Sequence, residues 1–505
     1  MTRAAIAAAV IAMGCQRITA PPRIQIVGPS VKVMRGAPLP HESAIYDGHR
    51  VTLHMARGET FGMQVLIAGA AEPIGAVIQA PGVTVEGFEV KYLEVTEPST
   101  SMYGPSRGRG TYPDILIPHE LPVIAGAAVL DIGVAPHAPP GIYEGKVRVG
   151  NTEVPLSLII EEVSIDLSRA PLVWVYYEPR EIGRAQHTDN LDTQIAWEQR
   201  YAELFRAHGA YIASDLGHEA FLRREALTDP SIAYWPVKLT EDDPEAMAAD
   251  VRAWIDLFRD RPQIPFAIPI DEPSTLDARG QVVANGAIIH LAADEKAPGA
   301  EKPALLHGVT DRPRPLYGDT VDIFLSPHAI PRPSRLAAGI HTWTYNGRPP
   351  EAGSLIIDTW GTALRSWGWI AFRYDVELWY VWEGLYFSDR YNGAKQPTRV
   401  LRNPITFDER RQGGEDFGNG DGVLAYPGVM PSLRLKALRR GLQDRLLLLE
   451  LARACGAGKA MALARDVVPR ALGEAGDEAT FPHRELPYAR ARLKMFSEIG
   501  TCHGR

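Results

Sequence analysis

The stretch Ile264-Pro-Phe-Ala-Ile-Pro-Ile-Asp271-Glu272-Pro273 sets two adjacent carboxylates at the end of an apolar, strand-like run. Pro273 cannot extend a ladder, so the spacing predicts that the strand stops beside them. Two carboxylates this close repel, which raises one pKa and leaves the other low. An acid beside an anion is the pair that cleavage of a glycosidic bond requires. The structural alternative has Asp271 capping the helix that follows and Glu272 pointing to solvent. A second chemical signal is aromatic crowding. Trp343, Trp360, Trp367, Trp369, Trp379 and Trp382 fall within forty residues, six of the ten Trp in the chain. Indole faces stack on the C–H faces of sugars. Trp343, Tyr345, Trp360, Trp369 and Trp382 are therefore the candidate sugar-contacting wall, with core packing as the other use for such rings.

Other strings match catalytic patterns only as text. Gly104-Pro-Ser106-Arg-Gly108 fits GxSxG, but no strand precedes it and no helix follows. Gly418-Asn-Gly420-Asp421-Gly422 is glycine-rich without a βαβ context. Asp416, Asn419 and Asp421 alternate as calcium ligands would, though a tight turn is the better reading. The fourteen His form no HxxxH or HExxH pair, so neither a catalytic metal nor a cofactor is expected.

The elements that must position these side chains fall into two patterns. From 23 to 166, short strands rich in Val, Ile and Thr alternate with turn signals, which predicts a β-sandwich. There Val51–Met55 and Phe61–Ile67 flank Arg57-Gly58-Glu59 as a hairpin would, and Gly150-Asn151 suits a tight turn. From 167 onward, strand-like runs at 172–178, 210–214, 264–271, 303–309, 321–326, 340–346, 377–383 and 423–426 alternate with helical periods such as 194–208 and 244–259. About eight such repeats predict a (β/α)8 TIM-type barrel, whose strand C-termini open onto the active-site face. Ser432 caps a predicted helix over 433–454, and 488–499 reads as a last helix. The fold class is thus multidomain β plus α/β, a β-sandwich followed by a (β/α)8 barrel with C-terminal helices.

The chain has 505 residues, with 53 Lys plus Arg against 61 Asp plus Glu, a net charge of −8. A mildly acidic chain without a basic run does not suit nucleic acid. Three Cys cannot build a disulfide framework or a CxxC-type zinc site. Met1-Thr-Arg3, the apolar run to Met13 and Ala12-Met13-Gly14-Cys15 resemble a lipoprotein signal peptide, so export and a lipid on Cys15 are expected, with an ordinary cleaved signal as the alternative. The expected divisions are a signal peptide over 1–14, a tether over 15–22, the sandwich over 23–166, the barrel over 167–455 and a helical extension over 456–505.

Several stretches together resemble glycoside hydrolase family 123 and its relatives that carry the domain of unknown function 4091. They are Arg57-Gly58-Glu59 with Gln64, Tyr112-Pro-Asp-Ile-Leu-Ile-Pro118, Pro140-Gly141-Ile-Tyr143-Glu-Gly145, Asp271-Glu272-Pro273, Val321-Asp322-Ile323-Phe324, Trp343-Thr-Tyr345, Gly420-Asp421-Gly422-Val-Leu-Ala-Tyr426-Pro427-Gly428, and the run from Pro431 to Asp444. The resemblance implies a retaining β-N-acetylgalactosaminidase in which the substrate's own 2-acetamido oxygen attacks the anomeric carbon. Asp271 would orient the acetamido N–H, and Glu272 would protonate the leaving oxygen and then deprotonate water. Glu383, at the end of a later strand-like run, motivates an alternative: a protein nucleophile acting with Glu272 on a sugar without an acetamido group. A third reading is a non-catalytic glycan-binding lipoprotein of the cell envelope. On all three readings the partner is a glycan, and the membrane is met only through the lipid on Cys15.

Overall fold

The computed structural model describes residues 23–168, 172–230, 232–298, 304–327, 339–388, 397–478 and 480–504. The expected signal peptide, the tether and Cys15 lie outside them. Eight short strands form one parallel sheet: β1 (Val173–Tyr176), β2 (Ala210–Ala213), β3 (Tyr234–Pro236), β4 (Ile264–Ala267), β5 (Leu306–Val309), β6 (Ile323–Leu325), β7 (His341–Tyr345) and β8 (Trp379–Val381). Their order is β2-β1-β8-β7-β6-β5-β4-β3, so β8 pairs with β1 and the sheet curls into a barrel with one seam, between β2 and β3. Aromatic rings fill its interior: Phe266 lies 5.2 Å from Trp174 and 5.0 Å from Trp343, both edge to face.

The strand count of eight comes from two compensating departures. The three-residue β3 ends in Pro236 and carries no alternation to read. The run at 423–426 lies outside the barrel, where Ala425–Tyr426 pairs instead with Met430–Pro431.

Residues 24–164 form two five-stranded sheets whose buried side chains share one cluster, among them Met63, Leu130 and Ile132 from one sheet and Leu53, Val147 and Leu158 from the other. Gly141–Val149 and Thr152–Ser164 do make a hairpin, with Gly150 at φ +54°. Val51–Arg57 and Thr60–Ile67 do not, because they belong to different sheets. Gly58, at φ +78°, turns the chain between sheets, and a Cβ there would lie 2.0 Å from the Ile165 carbonyl oxygen.

Four helices matter for the site: α1 (Leu276–Lys296), α2 (Ala363–Tyr374), α3 (Leu433–Cys455) and α4 (Leu486–Cys502). Ser432 caps α3, its hydroxyl accepting from Leu435 N at 3.0 Å. Helices α2 and α3 touch at Gly368, where a Cβ would sit 1.8 Å from the Gly441 carbonyl oxygen. A disulfide joins Cys455 to Cys502 at the C-terminal ends of α3 and α4. Among the described residues, no helix is long and apolar enough to cross a membrane.

Between α3 and the sheets lies a buried charge network. Arg434 meets Asp114 at 2.8 Å, while Lys436 and Arg439 meet Asp131 at 2.6 and 2.7 Å. Arg440 pairs with Glu59, which also takes Arg492 of α4 at 2.7 Å. Asp444 accepts from Arg365 at 2.8 Å, from Arg492 at 2.8 Å and from Trp369 Nε1 at 2.9 Å. Each ion loses hydration worth several kcal/mol, so such a network holds only while every member is paired. At Asp131, burial pushes the carboxyl pKa up and Arg439 with Lys436 more than reverse that, leaving it well below the usual range. Asp131→Asn would strand two buried cations. It is expected to cost about 3–5 kcal/mol in urea unfolding, and an unchanged midpoint would contradict this account.

Candidate active site

Strand β4 leads to the two adjacent carboxylates, but its ladder ends earlier than the sequence suggested. The last paired residue is Ala267, two residues before Pro269, which has no N–H to offer a ladder. The cap of α1 is Thr275, whose hydroxyl accepts from Ala278 N at 3.1 Å, so Asp271 does not serve as one. Asp271 is held instead from β5: Thr310, just past that strand, donates its hydroxyl to Asp271 Oδ1 at 2.6 Å. The same hydroxyl oxygen accepts from Glu272 N at 2.5 Å. Glu272 sits at φ +44°, a strained conformation for a residue with a Cβ. Partial desolvation and then the Asp271 charge raise its pKa, while a hydrogen bond from Tyr345 lowers it. Glu272 therefore keeps its proton to higher pH than an ordinary glutamate.

Both carboxylates open into a cavity of about 600 Å³. Tyr345 and Trp382, from the ends of β7 and β8, form part of its wall. The Tyr345 ring stacks on Tyr380 at 5.3 Å, and the Trp382 amide donates to Asn346 Oδ1 at 3.0 Å. Beside Trp382 lies Asp421, which also lines the cavity and accepts from Trp382 Nε1 at 3.0 Å and from the Tyr103 hydroxyl at 2.8 Å. Burial raises the Asp421 pKa, and these two donors counter it. A carboxylate held in this way presents an acceptor to ligand hydroxyls. Asp421 faces the cavity from the turn that follows the short strand Phe417–Asn419, whose Asn419 side chain donates to Glu97 O and Ser99 Oγ.

The structure does not bring the other expected site residues here. Trp343 has no exposed surface and packs inside the barrel, and Trp369 is equally buried on α2 with its N–H on Asp444. Trp360 lines a different cavity. Glu383 is fully buried, its Oε1 accepting from the amides of Gly384 and Leu385 at 3.1 Å, and it does not line the cavity. Indole is used alike for cores and for sugar platforms, so residue type alone could not separate them. Thr310 could have been found as a polar residue at a strand end; Tyr103, arriving from the N-terminal sheets, left no local signal. Among the described residues, no group of three or more His, Cys, Asp or Glu is placed to hold a metal ion.

No family model matches the chain, and no curated protein does. Among solved structures, the fold is similar to that of a family 123 glycoside hydrolase from Clostridium perfringens studied for glycolipid glycan hydrolysis, with a TM-score of 0.62 at 12% identity over 95% of this chain and 97% of that one. A xylanase of family 10 from termite gut reaches a TM-score of only 0.23 at 10% identity, over 62% of this chain and 90% of that one, and carries no argument.

The charges around Glu272 give a sign-definite test. Removing the donor in Tyr345→Phe should raise the Glu272 pKa further, whereas removing the neighbouring charge in Asp271→Asn should lower it. A carboxyl-13C NMR titration reads both, and shifts in one common direction would refute the assignment.

Proposed function

We propose that the chain is a glycoside hydrolase that cleaves a β-linked N-acetylhexosamine, N-acetylgalactosamine-like, with retention and by substrate assistance. The observation that carries this reading is the Asp271–Glu272 pair lining the cavity at the mouth of the barrel, where desolvation and the Asp271 charge raise the Glu272 pKa. In the first step the acetamido oxygen attacks the anomeric carbon as Glu272 protonates the leaving oxygen, and Asp271 accepts the acetamido N–H. The oxazolinium ion so formed is opened by a water whose proton returns to Glu272. No protein nucleophile is needed, so the two carboxylates need not face each other across the sugar. The position of Glu383 away from the cavity supports this route over one with a protein nucleophile. Tyr345 and Trp382 offer ring faces to the sugar and Asp421 accepts from its hydroxyls.

In this reading the two N-terminal sheets are a β-sandwich that braces a catalytic barrel. The protein is exported, with Cys15 as its lipid attachment point, and the Cys455–Cys502 disulfide fits an oxidising compartment.

On an aryl β-N-acetylgalactosaminide, Asp271→Asn and Glu272→Gln should each lose roughly 10²–10⁴-fold in kcat/KM. Azide should restore turnover to Glu272→Gln alone. A variant that retains wild-type turnover would remove that residue from the chemistry.

A further inference from the structure

Trp360 lines a second cavity of about 420 Å³, which shares no lining residue with the one that holds Glu272. Its walls come from four separate parts of the chain: residues 30–44, Arg107, Trp360–Gly361 and residues 483–486. The floor is closely fitted, since a Cβ on Gly361 would lie 2.3 Å from the Ser30 carbonyl oxygen. Arg107 lies over the Trp360 ring at 4.8 Å, and His483 stacks on the same indole at 4.5 Å and 11°.

The lining of this cavity carries three basic side chains, Lys32, Arg107 and Arg484, against two acids, the exposed Glu42 and the buried Glu485. Lys32 is 9% exposed, and its ammonium donates only to the carbonyl oxygens of Ile357 at 2.7 Å and Thr359 at 3.5 Å. Among the described residues, neither Lys32 nor Arg107 nor Arg484 forms an ion pair with a carboxylate. The buried acid of the cavity, Glu485, is already engaged by the amides of Gly28 and Ser30 and by Arg365. Burial pushes the Lys32 ammonium down to about 7 against the pull of Asp114, so the lost hydration is not made good by the protein. Ser30 Oγ is buried and has no hydrogen-bond partner. Ser30 and Lys32 both belong to the wall of this cavity, and an orphaned hydroxyl and a buried amine without a carboxylate partner each have hydrogen-bonding capacity that an acceptor from outside would meet.

We propose that this second cavity binds a sugar-sized ligand bearing a carboxylate or sulfate, with Lys32, Arg107 and the Ser30 hydroxyl donating to the oxyanion. A neutral ligand would leave the ammonium unmatched, and a cation would be repelled. The volume is that of a small-molecule pocket rather than of a bare oxyanion, and the planar Arg107 guanidinium suits two-point contact with carboxylate or sulfate. The site is independent of the glycosidase reading and lies outside the catalytic cavity.

Isothermal titration calorimetry on the full chain tests it with galacturonate, galactose 6-sulfate, neutral galactose and inorganic sulfate. The two charged sugars should bind one per chain, and galactose at least tenfold more weakly. Lys32→Met should weaken both charged sugars at least tenfold. It should still fold, because Met keeps the apolar stem in place and removes a buried ammonium whose desolvation is costly. Trp360→Leu, which keeps every cation, should weaken the sugars more than it weakens inorganic sulfate. Inorganic sulfate binding as tightly as the sugars would overturn the sugar-borne ligand in favour of a free oxyanion. A wild-type chain that takes neither charged sugar, or variants that bind them unchanged, would overturn the site.

Discussion

The buried guanidinium of Arg434 is the point at which the parts of this molecule meet. It grips Asp114 of the N-terminal sheets, and it also donates to the carbonyl oxygens of Leu355 and Gly420, at 2.6 and 2.8 Å, and of Val423. Gly420 and Val423 bracket the turn that presents Asp421 to the cavity. Asp114 in turn accepts from the Tyr426 hydroxyl at 2.6 Å. One desolvated ion pair thereby fixes a sheet, a helix and a wall of the site. Its cost in hydration is offset only because almost every remaining donor is satisfied by backbone. Lys436, Arg439 and Arg440 repeat the arrangement along α3, so the helix cannot slide without stranding several charges at once.

That rigidity gives the site its chemistry. Glu272 sits at positive φ with its amide on Thr310, and such a conformation persists only where the surroundings over-determine it. The two carboxylates are adjacent in sequence yet differently held: Thr310 donates to Asp271, while desolvation and the Asp271 charge raise the pKa of Glu272. Asp421 in the same cavity is held by Tyr103, which reaches it from the loop between two strands of the N-terminal sheets. Those sheets are therefore part of the cavity and not a separate attachment.

What could be read in advance follows from how local each signal is. The adjacent carboxylates Asp271 and Glu272 show in a single sequence because two acids directly follow an apolar run, although the ladder itself ends at Ala267, before the position that Pro273 suggested. The cap of α3 was equally legible, since Ser432 stands directly before a long helical period. The Arg57-Gly58-Glu59 stretch looks like a hairpin turn, but whether two strands pair or part to different sheets depends on what packs behind them. There Glu59 is buried against Arg440 and Arg492. The partners of Glu59, Asp114 and Asp131 lie hundreds of residues away, so nothing local in the sequence marks these charges as interior. The tryptophans divide in the same way: Trp382 keeps a face on the cavity, while Trp343 and Trp369 are enclosed by neighbours that the sequence does not bring near.

The most direct measurement of the central claim compares two aryl glycosides, a β-N-acetylgalactosaminide and the matching β-galactoside, each with and without a thiazoline inhibitor. Substrate assistance at Asp271 and Glu272 predicts cleavage of the acetamido sugar alone, abolished by the thiazoline. Cleavage of the plain galactoside at a comparable rate, insensitive to the thiazoline, would contradict it.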